Sequence, residues 1–256
     1  MARVFVTGSA DGLGLMAARL LVEQGHQVVV HGRSSGRAEE AKQLSGADAA
    51  VHGDLSSLKQ TRALAAQVNA LGRMDAVIHN AGVGYREGWR GDTEDGLPLV
   101  FAVNTVCTYV LTALIERPAR LVYLSSGMHY GVRLNVEDIA WNRRNWSGSQ
   151  AYAETKLHDA MLAFAVARRW PEVLANAVDP GWVATKMGGR GAPDDLDQGH
   201  RTQAWLAASD EPAAKASGRL FRHQRLRDAN PVAHDAAEQD RLIEALAGIS
   251  GVPFPA

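Results

Sequence analysis

Thr7-Gly8-Ser9-Ala10-Asp11-Gly12-Leu13-Gly14 is the stretch on which the fold turns. It joins a short β-branched run, Arg3–Val6, to residues 12–24, where Leu13, Met16, Ala17, Leu20 and Leu21 recur at helical spacing. A strand, a glycine loop and a helix in that order suit a dinucleotide. One glycine turns the chain, one lets backbone approach a pyrophosphate, and one lets the helix pack on the strand. The helix N-terminus then presents unpaired N–H groups to the phosphates. The spacing is Gly-x-x-x-Gly-x-Gly, and a ligand-free βα turn could need the same glycines. A second strand at residues 27–30 supplies the context that favours the dinucleotide reading.

Outward from the loop the alternation continues. Short apolar runs at residues 28–30, 49–51, 76–78, 121–124, 173–178 and 219–221 read as strands. Patterned stretches at 37–44, 57–71, 97–114 and 151–169, the last ended by Pro171, read as helices. This rhythm predicts an α/β fold: a doubly wound, Rossmann-type parallel sheet of seven strands with helices on both faces. No repeat, low-complexity tract or Pro/Ser-rich linker divides the 256 residues, so one domain is expected. The most loop-like stretch, residues 186–198, reads as a mobile flap.

Composition excludes several classes. Hydrophobic residues at 46% and charged residues at 21% describe a globular chain and argue against a disordered or fibrous one. Lys+Arg 27 against Asp+Glu 28 leaves a net charge of −1, which gives no surplus to hold a nucleic acid or an anionic membrane. One cysteine, Cys107, allows neither an internal disulfide nor a cysteine-based zinc cluster, and no metal site is expected. No apolar run approaches the ~20 residues of a membrane span. The N-terminus enters its glycine loop too soon for a signal-peptide core, so a cytoplasmic location is expected.

The end of the second strand bears on the choice of cofactor. An acid there would bind a ribose 2′-hydroxyl, whereas an Arg accommodates a 2′-phosphate. The chain reads His31-Gly32-Arg33-Ser34, with no acid before Glu39, so Arg33 points to NADP(H) over NAD(H). Asp11, in the glycine loop, argues the other way.

Tyr152 and Lys156 stand at (i, i+4), on one face of a helix. A phenol of ordinary pKa near 10 is a poor acid or base at neutral pH; a neighbouring ammonium favours its phenolate and makes the pair usable. Around this pair the chain resembles the short-chain dehydrogenase/reductase family, from residue 3 to about 185. The resemblance rests on several motifs in the family's order: Thr7–Gly14, Asp54-Leu55, Asn80-Ala81-Gly82, Val103-Asn104, Ser125-Ser126, Tyr152 with Lys156, and Pro180-Gly181-Trp182-Val183-Ala184-Thr185.

The resemblance implies that Tyr152 is the acid/base group and that Ser126 donates to the substrate oxygen. Lys156 would lower the Tyr152 pKa and bind the nicotinamide ribose, and Asn104 would hold a water in a proton relay. Cofactor contacts are implied for Gly8, Ser9, Asp11, Gly12, Leu13 and Gly14 in the loop. Asp54 and Leu55 would meet the adenine, with Asn80, Ala81 and Gly82 along the cleft. Pro180, Gly181, Val183 and Thr185 would lie at the nicotinamide end.

Twenty-six positions separate Ser126 from Tyr152, more than the family commonly has. A similar insertion occurs in the retinol-dehydrogenase-like branch, whose Ser-Ser-x-x-His pattern is echoed by Ser125-Ser126-Gly127-Met128-His129. The insertion, residues 127–150, and the loop after residue 180 offer His129, Trp146, Trp182 and Met187 as a pocket for an apolar or aromatic carbonyl or alcohol. The short return Glu116-Arg117-Pro118-Ala119-Arg120 trims a surface that many family members use to associate, which leaves a homo-oligomer open. The expected function is NADP-dependent interconversion of a carbonyl and an alcohol. The competing reading is a dinucleotide-binding sensor without turnover, which would be expected to lack one of the four active-site residues; all four are present.

Overall fold

The computed structural model describes residues 1–85 and 88–256. Apolar runs form β1 (Arg3–Val6), β2 (Gln27–Gly32), β3 (Ala49–His52), β4 (Ala76–His79), β5 (Arg120–Leu124), β6 (Leu174–Val178) and β7 (Arg219–Arg222), all parallel, in the order β3-β2-β1-β4-β5-β6-β7. An eighth strand, β8 (Arg225–Arg227), pairs antiparallel to β7 and corrects the expected count of seven. Its three residues are exposed and carry no buried apolar face, so nothing in their pattern marks a strand. The turn into it places His223 and Gln224 at φ of 51° and 59°, as a two-residue hairpin of type I′ demands.

The pleat divides each strand between two cores. Phe5 of β1, Val29 of β2, Val77 of β4 and Tyr123 of β5 face one side, under α3 (Leu58–Ala70), α5 (Cys107–Leu114), α6 (Gly148–Arg169) and α8 (Ala236–Ser250). Their neighbours Val4, Val30, Ile78 and Val122 face the other, under α1 (Gly12–Glu23), α2 (Ser35–Ser45) and α7 (Leu196–Ala208). Burial on both faces explains the unbroken apolar runs of the central strands.

Two expectations change in detail. The helix read at 97–114 is three pieces: α4 (Leu99–Phe101), a π-helical segment Ala102–Val106, and α5. The flap read at 186–198 ends in helix, because Asp195 caps α7 and residues 196–198 are its first turn. Asp194 ties the preceding loop down. Its carboxylate accepts from Trp182 N–H (2.6 Å) and Arg222 Nη2 (2.8 Å), and its own N–H donates to Trp182 O (3.0 Å). Among the described residues, no helix is long and apolar enough to cross a membrane.

Candidate active site

β1 and β4 are neighbours in the sheet, but their following helices leave on opposite faces. The crevice between them is where an open α/β sheet binds ligands. A cleft of about 610 Å³ runs there, lined by Gly8, Asp11, Gly12, Leu13, Arg33, Asp54, Leu55, Asn80, Ala81, Gly82, Tyr152, Lys156, Pro180, Thr185 and Met187. The glycine loop and the tyrosine, 138 positions apart at Gly14 and Tyr152, thus meet at one cavity.

The three glycines do different work. A Cβ on Gly14 would lie 2.5 Å from Gly8 O and 2.4 Å from Asn80 Nδ2, so Gly14 is required for the helix to close on the strand. Gly12 has a φ of 54° and open space where its Cβ would point, which leaves the helix N-terminus clear for a phosphate group. Gly8 N–H donates to His31 Nδ1 (3.0 Å), while His31 Nε2 lies 2.9 Å from Gly53 O. That pairing needs a neutral ring, and burial of His31 holds its pKa below the usual value. His31 therefore braces the loop, a role the sequence did not signal. Ser9 lies outside the cleft wall, with its hydroxyl bonded to Val6 O (2.8 Å) and its oxygen accepting from His31 N–H (2.7 Å).

At the adenosine end Arg33 is joined by Arg37, whose Nη2 donates to Ala10 O (3.1 Å). Asp11 caps α1 through Gly12 N–H and forms an ion pair with Lys186. The Lys186 hydrogen bond, against a smaller cost of burial, lowers the Asp11 pKa. The negative charge that argued against a phosphate is therefore paired. Asp54 Oδ1 accepts from Ser56 N–H (2.9 Å) and Oγ (2.7 Å), which fixes that carboxylate at the rim.

Tyr152, Lys156 and their supports lie on α6, whose residues 151–166 are all buried. Lys156 Nζ donates to Leu124 O (2.7 Å) and to Asp159 Oδ2 (2.8 Å). The Ser125 hydroxyl donates to Lys156 O at 2.7 Å, so its proton is committed to α6. Ser126 Oγ accepts from Met128 N–H (3.3 Å) and lies close enough to the Tyr152 phenol to lower its pKa, although Ser125 and not Ser126 stands in the cleft wall. Burial pushes that phenol above its usual pKa. The Lys156 ammonium and Ser126 pull it down, and Asp159 adds to the rise. Lys156 acts on the phenol in the expected direction, but the net direction is upward.

Asn104 sits in the π-helical segment, a distortion frequent at functional positions. Its Oδ1 accepts from Val83 N–H (2.8 Å), and its Nδ2 donates to Val83 O (3.2 Å) and Thr155 Oγ1 (3.1 Å). The side chain thus ties the loop after β4 to α6.

The pocket candidates divide. Met187 lines the cleft, and Trp146 packs with it, Trp141 and Tyr85 in the apolar cluster around Tyr152. Tyr85 meets the Tyr152 ring edge-on at 5.5 Å and was not foreseen. His129 is fully buried away from the cleft wall, with Nδ1 2.5 Å from Ser126 O and Nε2 accepting from Asn230 N–H (3.2 Å). Trp182 is 53% exposed, and its indole caps Gly188 O at 3.0 Å outside the cleft. Gly181 and Val183 shape the loop from behind: Gly181 has a φ of 83°, and Val183 is buried in a bridge to Asp194.

The family model described as short chain dehydrogenase matches residues 2–195. The chain is a short-chain dehydrogenase. The family's enzymes are oxidoreductases that interconvert CH–OH and C=O groups with a nicotinamide dinucleotide. The chain is 44% identical to an uncharacterized oxidoreductase of Emericella nidulans, over 100% of this chain and 99% of that one. It is 32% identical to a Streptomyces protein with the provisional name daunorubicin C-13 ketoreductase, over 97% and 92% of the two chains. Among solved structures, an uncharacterized protein from Mycobacterium Paratuberculosis superimposes with a TM-score of 0.86 at 26% identity, covering 100% of this dehydrogenase and 96% of that chain.

Proposed function

We propose that this dehydrogenase uses NADP(H) and reduces a ketone or aldehyde, with Tyr152 as the proton donor. The observation that carries the reading is one continuous cleft holding Arg33 and Arg37 at one end and Tyr152 and Lys156 at the other. The cradle fits a dinucleotide: the space at Gly12, at the start of α1, and the two guanidinium groups follow one another along the wall. The bound nicotinamide would supply the hydride.

The chain's own groups do the rest. Ser126 and Tyr152 donate to the carbonyl oxygen, so that the charge developing there meets two hydrogen-bond donors. As the carbon is reduced, the Tyr152 proton passes to that oxygen, and Lys156 stabilises the phenolate left behind. A phenol held above its usual pKa starts the reduction with its proton in place, and Lys156, which pulls that pKa down, eases its release. Asn104 holds the cleft loop in register through both of its bonds to Val83, and in this reading it also helps to hold a relay water.

The apolar cluster of Tyr85, Trp146 and Met187 beside Tyr152 favours an apolar or aromatic substrate. The ketoreductase name borne by the Streptomyces relative is in keeping with that class. A cytoplasmic location belongs to the same reading.

The cofactor assignment is tested by comparing NADPH and NADH affinities for the parent, Arg33→Ala and Arg37→Ala. Each substitution should weaken NADPH binding about tenfold and leave NADH nearly unchanged, the effect of one charge-assisted phosphate contact. Equal losses for both cofactors would contradict the assignment.

A further inference from the structure

Asp159 is a buried acid that the reaction scheme above does not use. It lies one helical turn beyond Lys156, is 3% exposed, and is not among the described residues of the cleft wall. Its Oδ2 receives Lys156 Nζ at 2.8 Å, and its Oδ1 is buried with no hydrogen-bond partner. An ammonium has three donors. Leu124 O and Asp159 take two, which leaves one for the cleft that Lys156 lines.

We propose that Asp159 is a positioning residue of the acid/base unit: it fixes the direction of the remaining Lys156 donor and offsets part of the ammonium's field at Tyr152. The inference rests on reading Tyr152 as the acid/base group.

The surroundings leave Lys156 as the charged partner. From α5, the Cys107 thiol feels the carboxylate, and burial pushes it up to about 12, so it stays neutral. From β5, Tyr123 feels it too and is pushed up by burial; His79, tilted against that ring with centroids 4.8 Å apart, is held neutral by burial that lowers it to about 3. On α6 itself, Asp159 raises both Lys156 and Tyr152. Burial raises Asp159 to about 6, with Lys156 pulling against it. A lysine without this partner would act on the phenol with its full charge. The paired lysine acts with less, and the phenol holds its proton to higher pH.

The test is the pH profile of kcat/KM for alcohol oxidation, which requires the phenolate. Asp159→Asn keeps the shape and removes the charge. Its profile should rise at a pH about one unit lower than the parent's, as expected for loss of a nearby like charge. Asp159→Glu, which keeps the charge, should restore the parent midpoint. A role in packing alone would lower stability and rate without moving the midpoint, so an unmoved or raised midpoint in Asp159→Asn overturns the proposal. Should that variant not fold, Asp159→Ser, which also removes the charge, decides in its place: a midpoint about one unit below the parent's supports the proposal, and an unmoved or raised one overturns it. Failure of the parent to transfer hydride at all would defeat the reading of Tyr152 instead.

Discussion

Tyr152→Phe is expected to lower kcat for carbonyl reduction by about 10²- to 10⁴-fold, the range that a positioned proton donor contributes. The substitution removes one oxygen from a ring whose position is set by other contacts. Tyr85 meets it edge-on at 5.5 Å, and Val100, Trp141 and Ala151 pack around it, so a phenyl ring keeps the same site. Cofactor affinity should change little, because the glycine loop and both arginines are untouched. Single-turnover loss of NADPH absorbance separates the outcomes: tight binding with a slow chemical step is expected. A variant as fast as the parent would mean that another group delivers the proton, and His129, buried and bonded to Ser126 O and Asn230, is not placed to do so.

Arg144→Ala is expected to destabilise the fold by about 3 kcal/mol, toward the lower end of what breaking a buried ion pair costs. Glu154, between Tyr152 and Lys156 on α6, is 4% exposed. Arg144 binds both its oxygens at 2.6 Å and lies 3.6 Å over the Trp141 ring, whose Nε1–H also donates to Glu154 (3.1 Å). Removing the guanidinium leaves a buried carboxylate with the Trp141 indole and Gln150 amide as its donors. It also frees Trp141, whose φ of 56° is costly for a bulky residue and is held by this network. The melting temperature should fall by about 8 °C for a chain of this length. An unchanged melting temperature would show that the insertion is not fastened to α6 through this pair. Because Tyr152 is two residues away on the same helix, activity should fall more than the loss of folded protein explains.

The insertion shows where sequence reading stops. Glycines that need a positive φ or a missing Cβ are legible one by one, and so is an (i, i+4) pair on one helix. The glycine loop, Tyr152 and Lys156 therefore appear in the sequence as they stand in the cleft. The role of Ser126 is implied by the family's pattern alone; that the Ser125 proton is committed to Lys156 O is legible only in the fold.

Arg37 and Tyr85 carry no signal in the sequence because ordinary charged and aromatic residues gain meaning only from what lies opposite them. His129 and Trp182, each just after a strand, read from the sequence as pocket residues. The first instead holds Ser126 O and the second Gly188 O, both partners set by loops without periodicity. Asp159 was invisible for another reason: an acid three residues after a lysine reads as an exposed helix pair unless the helix is known to be buried on all sides.

The central claim is that hydride passes between a nicotinamide in this cleft and a carbonyl carbon held against Tyr152. Deuteride transfer tests it most directly. The parent protein, given 4-deuterated NADPH and a panel of ketones and aldehydes, should yield an alcohol with deuterium on the carbinol carbon, in step with loss of cofactor absorbance. NADPH bound tightly across the whole panel, with no deuterium in any product, would contradict the account and favour a sensor of the dinucleotide.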